Sequence, residues 1–140
     1  MTSAEDPPCP ISSEGLTDLL RVQREYPAAP LAIAENGGAF PDTVRDVEGG
    51  RVQDDRIAFL SSHIDAVADA CAQGADVRGY FVWTSLDNFE WAHGYGPAFG
   101  LVPVDRESMK RTPKKSALWF GDFLRGRHTA DQSGTAPHTP

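Results

Sequence analysis

Two short stretches of this chain place carboxylates and aromatic rings directly after apolar runs. In PLAIAENGGAF, residues 30–40, Glu35 follows four apolar residues and precedes Asn-Gly-Gly. After GYFVW, residues 79–83, a loop carries a second set of polar and aromatic side chains, namely Asp87, Asn88, Glu90 and Trp91. Indole faces can cover the C–H patches of a pyranose, and carboxylates can accept hydrogen bonds from its hydroxyls. Hydrolysis of a glycosidic bond also requires a pair of carboxylates. A sugar site is therefore one chemistry that these residue types could support.

Each of these residues also has an ordinary structural explanation. Asn-Gly is a common turn signal, so spacing alone leaves Glu35 equally compatible with a solvated turn. Trp83 and Trp91 would more often be core residues than a ligand platform, and Glu90 taken alone is most often a surface charge. The residue types and their spacing therefore leave both interpretations open.

The histidines, cysteines and glycines of the chain form no motif for a metal or a cofactor, so we expect neither. The four histidines and two cysteines lack metal-ligand spacing, and no glycine motif of the phosphate-cradling kind occurs. We expect Cys71 to be a small core residue and His63 to be structural or exposed. His93, beside a glycine, is expected to belong to a simple loop.

The charge of the chain argues against two classes of partner. Its 140 residues carry a net charge of −7, whereas a nucleic acid requires a basic face and an anionic membrane surface attracts cationic segments. No apolar run reaches the roughly 18–20 residues of a membrane span, and the first ten residues lack the pattern of a secretory signal. Two cysteines form no disulfide framework, so we expect a cytoplasmic protein.

The hydrophobic pattern predicts the order helix, strand, helix, strand, helix. Ser13 is expected to cap the first helix. Residues 31–34 are expected to form a strand buried on both faces, as in a parallel sheet. The second helix should end at Gly74 and carry one apolar stripe, made of Ile57, Leu60, Ile64, Val67 and Cys71.

The second half of the chain predicts one more strand and one more helix. Residues 79–83 form the strand, and Thr112 with Pro113 begins a helix that reaches about Leu124. Helix-length gaps between the strands favour parallel pairing through a right-handed crossover. Because two strands leave open edges and little core, the pattern indicates a section of a larger α/β protein. Glu35 would then lie at the carboxyl end of a strand, where such folds carry their chemistry.

Three segments together resemble family 1 glycoside hydrolases, the β-glucosidase and β-galactosidase group. LAIAENGGAF resembles the family's Ile/Thr-Glu-Asn-Gly segment, RGYFVWTSLDNFEWAHGY resembles the segment at its eighth strand, and FGLVPVDRESMKRTPKKSALWF resembles its closing stretch. The segments follow one another in the family's order, from about residue 13 to residue 123.

The resemblance implies the C-terminal part of a (β/α)8 TIM barrel, with 31–34 as strand seven and 79–83 as strand eight. Residues 1–12 would be a lead-in, 13–125 the partial barrel and 126–140 a disordered tail. Glu35 matches the nucleophile that forms a glycosyl-enzyme intermediate with net retention, which implies a β-linked glycoside or oligosaccharide as substrate.

The resemblance also implies four sugar-binding residues. Trp83 matches the tryptophan beneath the glycone, and Glu90 matches the glutamate that binds the outer hydroxyls of the sugar. Trp91 matches an indole that donates to a neighbouring hydroxyl, and Phe99 matches an aromatic residue near the same pocket.

The chain also departs from the family's pattern. The acid/base glutamate of the family lies in an Asn-Glu-Pro segment that this sequence lacks, and Ala98, Pro103 and Arg106 stand where arginine or tyrosines are usual. We therefore expect a fragment of a retaining β-glycosidase whose partner is the missing N-terminal section of the barrel. The alternative is a non-enzymatic truncated remnant that binds sugar weakly at most, while an independent binding module would need a larger core.

Overall fold

The computed structural model describes residues 12–22, 26, 29–40 and 54–132. Their elements follow the predicted order of helix, strand, helix, strand, helix. These elements are helix α1 (Ser13–Val22), strand β1 (Leu31–Asn36), helix α2 (Asp54–Ala72), strand β2 (Val77–Val82), a short 3-10 helix (Trp91–His93) and helix α3 (Lys115–Gln132). The chain divides into two compact units, one from the described parts of Met1–Ala32 and Ser61–Arg78, the other from those of Ile33–Leu60 and Gly79–Pro140.

The first unit contains α1 and the second half of α2. Ser12, not the predicted Ser13, caps α1, because its Oγ accepts a hydrogen bond from the Gly15 N–H at 3.1 Å. Leu20 is the buried residue of α1, and the Arg21 guanidinium donates to the Gln73 side chain at 3.0 Å. These contacts attach α1 to the turn that follows α2.

Helix α2 ends at the predicted glycine. Gly74 adopts φ 99°, and the N–H groups of Gly74 and Ala75 donate to the carbonyls of Cys71 and Ala70, both at 3.0 Å. This pattern satisfies carbonyls that the end of a helix leaves without partners, and it favours glycine because of the positive φ.

The buried stripe of α2 differs from the predicted one at its ends. Leu60 and Ile64 are buried as predicted, but Cys71 is exposed, so its predicted place in the core is wrong. The buried stripe instead continues through Ala66 and Ala70. Cys71 directly follows Ala70, so its side chain points about 100° away from that of Ala70 around the helix axis and lies off the stripe. His63 is buried, with its Nδ1 3.3 Å from the Ser62 hydroxyl.

Strands β1 and β2 form a two-stranded parallel sheet. The Leu31 N–H donates to the Asp76 carbonyl at 2.8 Å at one end, and the Trp83 N–H donates to the Asn36 carbonyl at 2.9 Å at the other. The strands therefore run in the same direction. Strand β1 continues two residues beyond the predicted 34, which places Glu35 inside the strand and rules out a turn at this residue.

The prediction that β1 is buried on both faces is wrong. Ala32, Ala34 and Glu35 are exposed, and Leu31 and Ile33 are only half-buried. A strand in a sheet of two has one neighbour, so it keeps an outer edge that a central strand would not have.

Near the end of β2, one face of the sheet packs on a hydrophobic core and the opposite face is open. Val82 packs against a buried cluster made of Phe59, Leu60 and Leu101. The side chain before it, Phe81, points to the other face and is 61% exposed. We call the side that carries Phe81 the open face.

Helix α3 begins and ends later than predicted. The N–H groups of Thr112 and Lys114 donate to the carbonyls of Pro103 and Leu101, so this segment pairs with another part of the chain before the helix begins at Lys115. Gly126 lies within the helix, which reaches Gln132 and so extends beyond the predicted end at about Leu124. The predicted lead-in, apart from residue 12, and the tail beyond 132 lie outside the described residues. In the part of the chain that the structure describes, no helix is long and apolar enough to cross a membrane.

We predict that the 140-residue chain, studied alone, is helical but loosely packed. The large exposed apolar side chains include Leu19, Phe81, Tyr95 and Leu124, and such surfaces bind ANS. Circular dichroism should show helix while ANS fluorescence rises, and Phe81→Ser should reduce the dye signal without loss of helix. A sharp two-state thermal transition of a monomer with well-dispersed amide NMR signals would contradict this prediction.

Candidate active site

Glu35 is the penultimate residue of β1, and its side chain is exposed on the open face. The next residue, Asn36, accepts a hydrogen bond from the Tyr80 hydroxyl at 2.7 Å through Oδ1. Successive side chains of a strand alternate between faces, so Glu35 points away from Tyr80 and to the same side as Phe81. Burial raises the pKa of Tyr80 to about 12, so its hydroxyl keeps its proton and remains a donor at neutral pH.

The backbone after Glu35 lies directly against Trp83. A β-carbon added at Gly37 would overlap the Trp83 carbonyl oxygen and lie 2.7 Å from the carbonyl carbon, so only glycine fits here without a shift. The glycine that follows the carboxylate therefore serves close backbone packing. It brings the chain after β1 next to the residue that follows β2.

Trp83 and Glu90 are in direct contact. The Trp83 indole is half-buried, and its Nε1 donates a hydrogen bond to Glu90 Oε1 at 3.3 Å. The peptide bond between Trp83 and Thr84 is cis. The Glu90 backbone closes a tight loop, because its N–H donates to the Gly94 carbonyl at 2.7 Å and the Gly94 N–H donates back at 3.0 Å. Two of the predicted sugar-binding residues are thus brought together.

Trp91 lies at the tip of this loop and is 89% exposed. The alternative that placed it in the core is therefore wrong. Its φ of 26° lies in a region that favours glycine, which makes it an unusual position for a large side chain. Within the described chain, neither its side chain nor that of Glu35 has a hydrogen bond to another predicted site residue.

Phe99 is half-buried and belongs to a segment that pairs with the loop after Trp83. Its carbonyl accepts from the Thr84 N–H at 3.4 Å, and the Leu101 N–H donates to the Thr84 carbonyl at 2.8 Å. Leu86 and Val102 continue the pairing as a parallel bridge. The loop that carries Glu90 is therefore held by backbone hydrogen bonds on the side of Phe99.

Asp87 is a structural anchor of this loop. Its Oδ1 accepts a hydrogen bond from the Gly100 N–H at 2.7 Å and lies 3.7 Å from the Nζ of Lys114, whose side chain is fully buried. Its carbonyl accepts from the Arg106 guanidinium at 2.9 Å. Sequence reasoning grouped Asp87 with possible sugar-binding residues and did not find its pairing with Lys114, since no local pattern joins positions so far apart.

Gly100 is required by the same anchor. A β-carbon at this position would overlap the Asp87 backbone nitrogen and lie 2.6 Å from Asp87 Oδ1, so a side chain would displace both the backbone and the carboxylate of Asp87. Among the residues that the structure describes, no group of three or more His, Cys, Asp or Glu side chains could hold a metal ion.

Comparison with known proteins identifies clear relatives. The sequence profile "Glycosyl hydrolase family 1" matches residues 4–129. The chain is 52% identical over 110 residues to "Thermostable beta-glucosidase B" of Thermobispora bispora, a match that covers 78% of this chain and 22% of that protein. It is 46% identical over 109 residues to the "Bifunctional beta-D-glucosidase/beta-D-fucosidase" of Bifidobacterium breve, with 76% and 24% covered.

Solved structures give the same result. The family 1 β-glucosidase from Thermotoga maritima matches with a TM-score of 0.77 and 40% identity, covering 82% of this chain and 26% of that one. The GH1 β-glucosidase from Exiguobacterium antarcticum B7 matches with a TM-score of 0.82 and 34% identity, covering 93% and 29%. These structural neighbours are (β/α)8 barrels. The chain therefore spans about a quarter of the length of its relatives.

We predict that Gly37→Ala destabilises a complete barrel that contains this segment. The test protein, called the barrel graft below, carries residues 13–125 of this chain in place of the matching segment of the Thermotoga maritima β-glucosidase. Overlap with the Trp83 carbonyl should cost about 1–3 kcal/mol of unfolding free energy, measured by denaturant titration.

Gly121→Ala is the matched control for this substitution. A β-carbon at Gly121 would meet only the Arg125 guanidinium at 3.6 Å, and alanine favours helix over glycine by about 1 kcal/mol. Gly121→Ala should therefore leave the stability unchanged or increase it. Equal effects of the two substitutions would show that the Trp83 contact does not restrict position 37.

Proposed function

This chain belongs to glycosyl hydrolase family 1, and we propose that it forms strands seven and eight of a (β/α)8 barrel and supplies the nucleophile of a retaining β-glycosidase. The observation that carries the proposal is the position of Glu35. It lies at the carboxyl end of β1, on the open face of the sheet, and the strand next to it leads into the Trp83–Glu90 pair at 3.3 Å.

In this proposal Glu35 attacks the anomeric carbon of the sugar. A bond forms between the carboxylate oxygen and that carbon while the bond to the leaving-group oxygen breaks, and a carboxylic acid protonates the leaving group. Water then hydrolyses the glycosyl-enzyme ester, helped by the same acid acting as a base, and the configuration is retained. Glu35 therefore acts unprotonated, as a nucleophile.

We assign the acid to the rest of the barrel and not to Glu90. One oxygen of Glu90 already accepts a hydrogen bond from the Trp83 indole, which suits a residue that binds hydroxyls. The carboxylate can accept from sugar hydroxyls with its second oxygen. In a retaining site the nucleophile and the acid/base are about 5–5.5 Å apart, so the section that completes the barrel must bring a carboxyl group to Glu35.

The remaining predicted residues would hold the glycone. Trp83 offers an indole face next to the strand that carries Glu35, and the exposed Trp91 offers an N–H at the tip of the loop. Phe99 lies on the segment that pairs with Thr84. Several relatives are named as β-glucosidases, and one Thermotoga maritima structure contains deoxynojirimycin. We therefore propose β-glucosides as the substrate class and the remaining barrel section as the required partner.

We predict that Glu35 is labelled covalently by a 2-fluoro β-glucoside in the barrel graft. Such a substrate should form the glycosyl-enzyme faster than it is hydrolysed, and peptide mass spectrometry should place the sugar on Glu35. Glu35→Gln should abolish the label. The 140-residue chain alone should not turn over an aryl β-glucoside, because in this proposal it lacks the general acid, which contributes roughly 10²–10⁴-fold.

Three results would contradict the proposal. A label on Glu90 or Asp87 would show that the nucleophile is assigned wrongly. A folded graft that is not labelled would favour the non-enzymatic alternative. Turnover by the chain alone that disappears in Glu35→Gln would show that the chain contains its own acid.

We predict that Glu90→Ala in the barrel graft lowers kcat/KM for an aryl β-glucoside by about 10–100-fold, the size of a lost hydrogen bond to a charged group. The label on Glu35 should still form, only more slowly, because Glu90 binds hydroxyls and does not react. Glu107→Ala removes an exposed carboxylate and serves as control, with kcat/KM unchanged. Complete loss of labelling in Glu90→Ala would contradict a binding role.

A further inference from the structure

Arg56 is a buried cation that lies between the loops following β1 and β2. It belongs to the first turn of α2, is 2% exposed and contacts both loops. We infer that Arg56 is a positioning residue, which sets the separation between the loop after Glu35 and the segment that carries Phe99. This inference rests on the proposed function, since it concerns the two sides of the same site.

The first contact of Arg56 is with the loop after β1. Its guanidinium carbon lies 5.4 Å from the centre of the Phe40 ring, within the range of a cation–π interaction, which is worth about 2 kcal/mol when it is desolvated. The same ring packs against Phe59 with centres 5.6 Å apart. It also lies over Gly38, where an added β-carbon would come within 2.9 Å of it. Phe40 therefore connects α2 to the backbone that leads back to Glu35.

The second contact of Arg56 is with the loop after β2. One guanidinium nitrogen, Nη2, donates a hydrogen bond to the Ala98 carbonyl. The next residue, Phe99, accepts from the Thr84 N–H through its own carbonyl, and Thr84 follows Trp83. A charged donor bound to a carbonyl makes a stronger hydrogen bond than a neutral one, so this contact fixes the segment at Ala98, next to the residue that pairs with Thr84.

Both partners of Arg56 line one cavity. This cavity is open to solvent and has a volume of about 510 Å³, and its lining includes Ala39 and Phe40 from the loop after β1 and Asp87 and Tyr95 to Ala98 from the loop after β2. A side chain that holds Phe40 and Ala98 at once therefore sets the width of this cavity. A change in that width would move the two loops relative to each other.

The chemistry of arginine suits this position. A planar guanidinium can face an aromatic ring and donate in its own plane to a carbonyl at the same time, whereas a lysine ammonium is a compact point charge. Arg56→Lys preserves the charge and most of the volume but cannot make both contacts in the same geometry. A misplacement of about 1 Å in an active site can cost on the order of 10²-fold in rate, so the substitution should affect catalysis more than folding.

The experiment compares Arg56→Lys with Arg78→Lys in the barrel graft. Arg78 is an exposed arginine paired with Asp76 at 2.8 Å, and its replacement should change neither stability nor kinetics. Arg56→Lys should lower kcat and the rate of Glu35 labelling by about 10–100-fold, while the fraction of folded protein stays that of the parent. If the loss of activity equals the loss of folded protein, the role of Arg56 is only structural and the inference fails.

A readout without activity tests the contact itself. With ¹³C-labelled alanine carbonyls, the Ala98 signal should shift in Arg56→Lys and not in Arg78→Lys. Phe40→Leu removes the ring but keeps an apolar side chain. If Arg56 acts through this ring, the variant that combines Arg56→Lys with Phe40→Leu should lower kcat by less than the product of the two single reductions. The inference would be overturned if the two reductions in kcat simply multiplied in the double variant, or if the Ala98 carbonyl signal did not shift in Arg56→Lys.

The two proposals can fail separately. If the folded parent graft is not labelled at Glu35, the proposed function fails, and the Ala98 signal still decides whether Arg56 holds the loop. If the parent is labelled and Arg56→Lys behaves like Arg78→Lys in kinetics and carbonyl shift, the proposed function stands and the inference about Arg56 fails.

Discussion

The contact between the backbones of Gly37 and Trp83 is the constraint on which the candidate site depends. Trp83 donates its N–H to the Asn36 carbonyl at 2.9 Å, and the next residue after Asn36 can approach the Trp83 carbonyl only because it lacks a side chain. This approach brings the ends of the two strands together. Glu35 projects from the open face of β1, next to strand β2. The residue that follows β2, Trp83, holds Glu90 through a hydrogen bond from its indole.

The loop after Trp83 combines a rigid base with an exposed tip. At the base, Asp87 binds the Gly100 N–H at 2.7 Å and pairs with the buried Lys114. Because the Lys114 side chain is fully buried next to this carboxylate, replacing Asp87 with a neutral residue would destabilise the base of the loop. At the tip, Trp91 is exposed. The side chains that we propose to meet the sugar thus lie on a loop whose backbone is held by the hydrogen bond and the ion pair of Asp87.

The local features of the fold could be predicted from the sequence, and the non-local ones could not. The order of elements, the glycine stop at Gly74 and the position of Glu35 near a strand end follow from short-range patterns. The start of α3 was missed because the amides of Thr112 and Lys114 pair with residues 101–103, and no local signal reports such pairing. For the same reason the sequence revealed neither the Asp87–Lys114 pair nor the contacts of Arg56. The roles of Glu35, Trp83, Glu90, Trp91 and Phe99 stay predictions.

The division of labour within a retaining glycosidase explains why a site can be well formed locally and still depend on the rest of a barrel. The nucleophile needs only a fixed carboxylate at a strand end, and the hydroxyl-binding carboxylate needs only a fixed loop. In the proposed function this chain would supply both, since Glu35 and Glu90 belong to one compact unit and Trp83 holds Glu90 through its indole. The acid/base, however, must stand about 5–5.5 Å from the nucleophile on the other side of the glycosidic bond. If Glu35 is the nucleophile, as we propose, that distance depends on the closure of the whole barrel, because a side chain from a distant strand must reach the open face that carries Phe81 and Glu35.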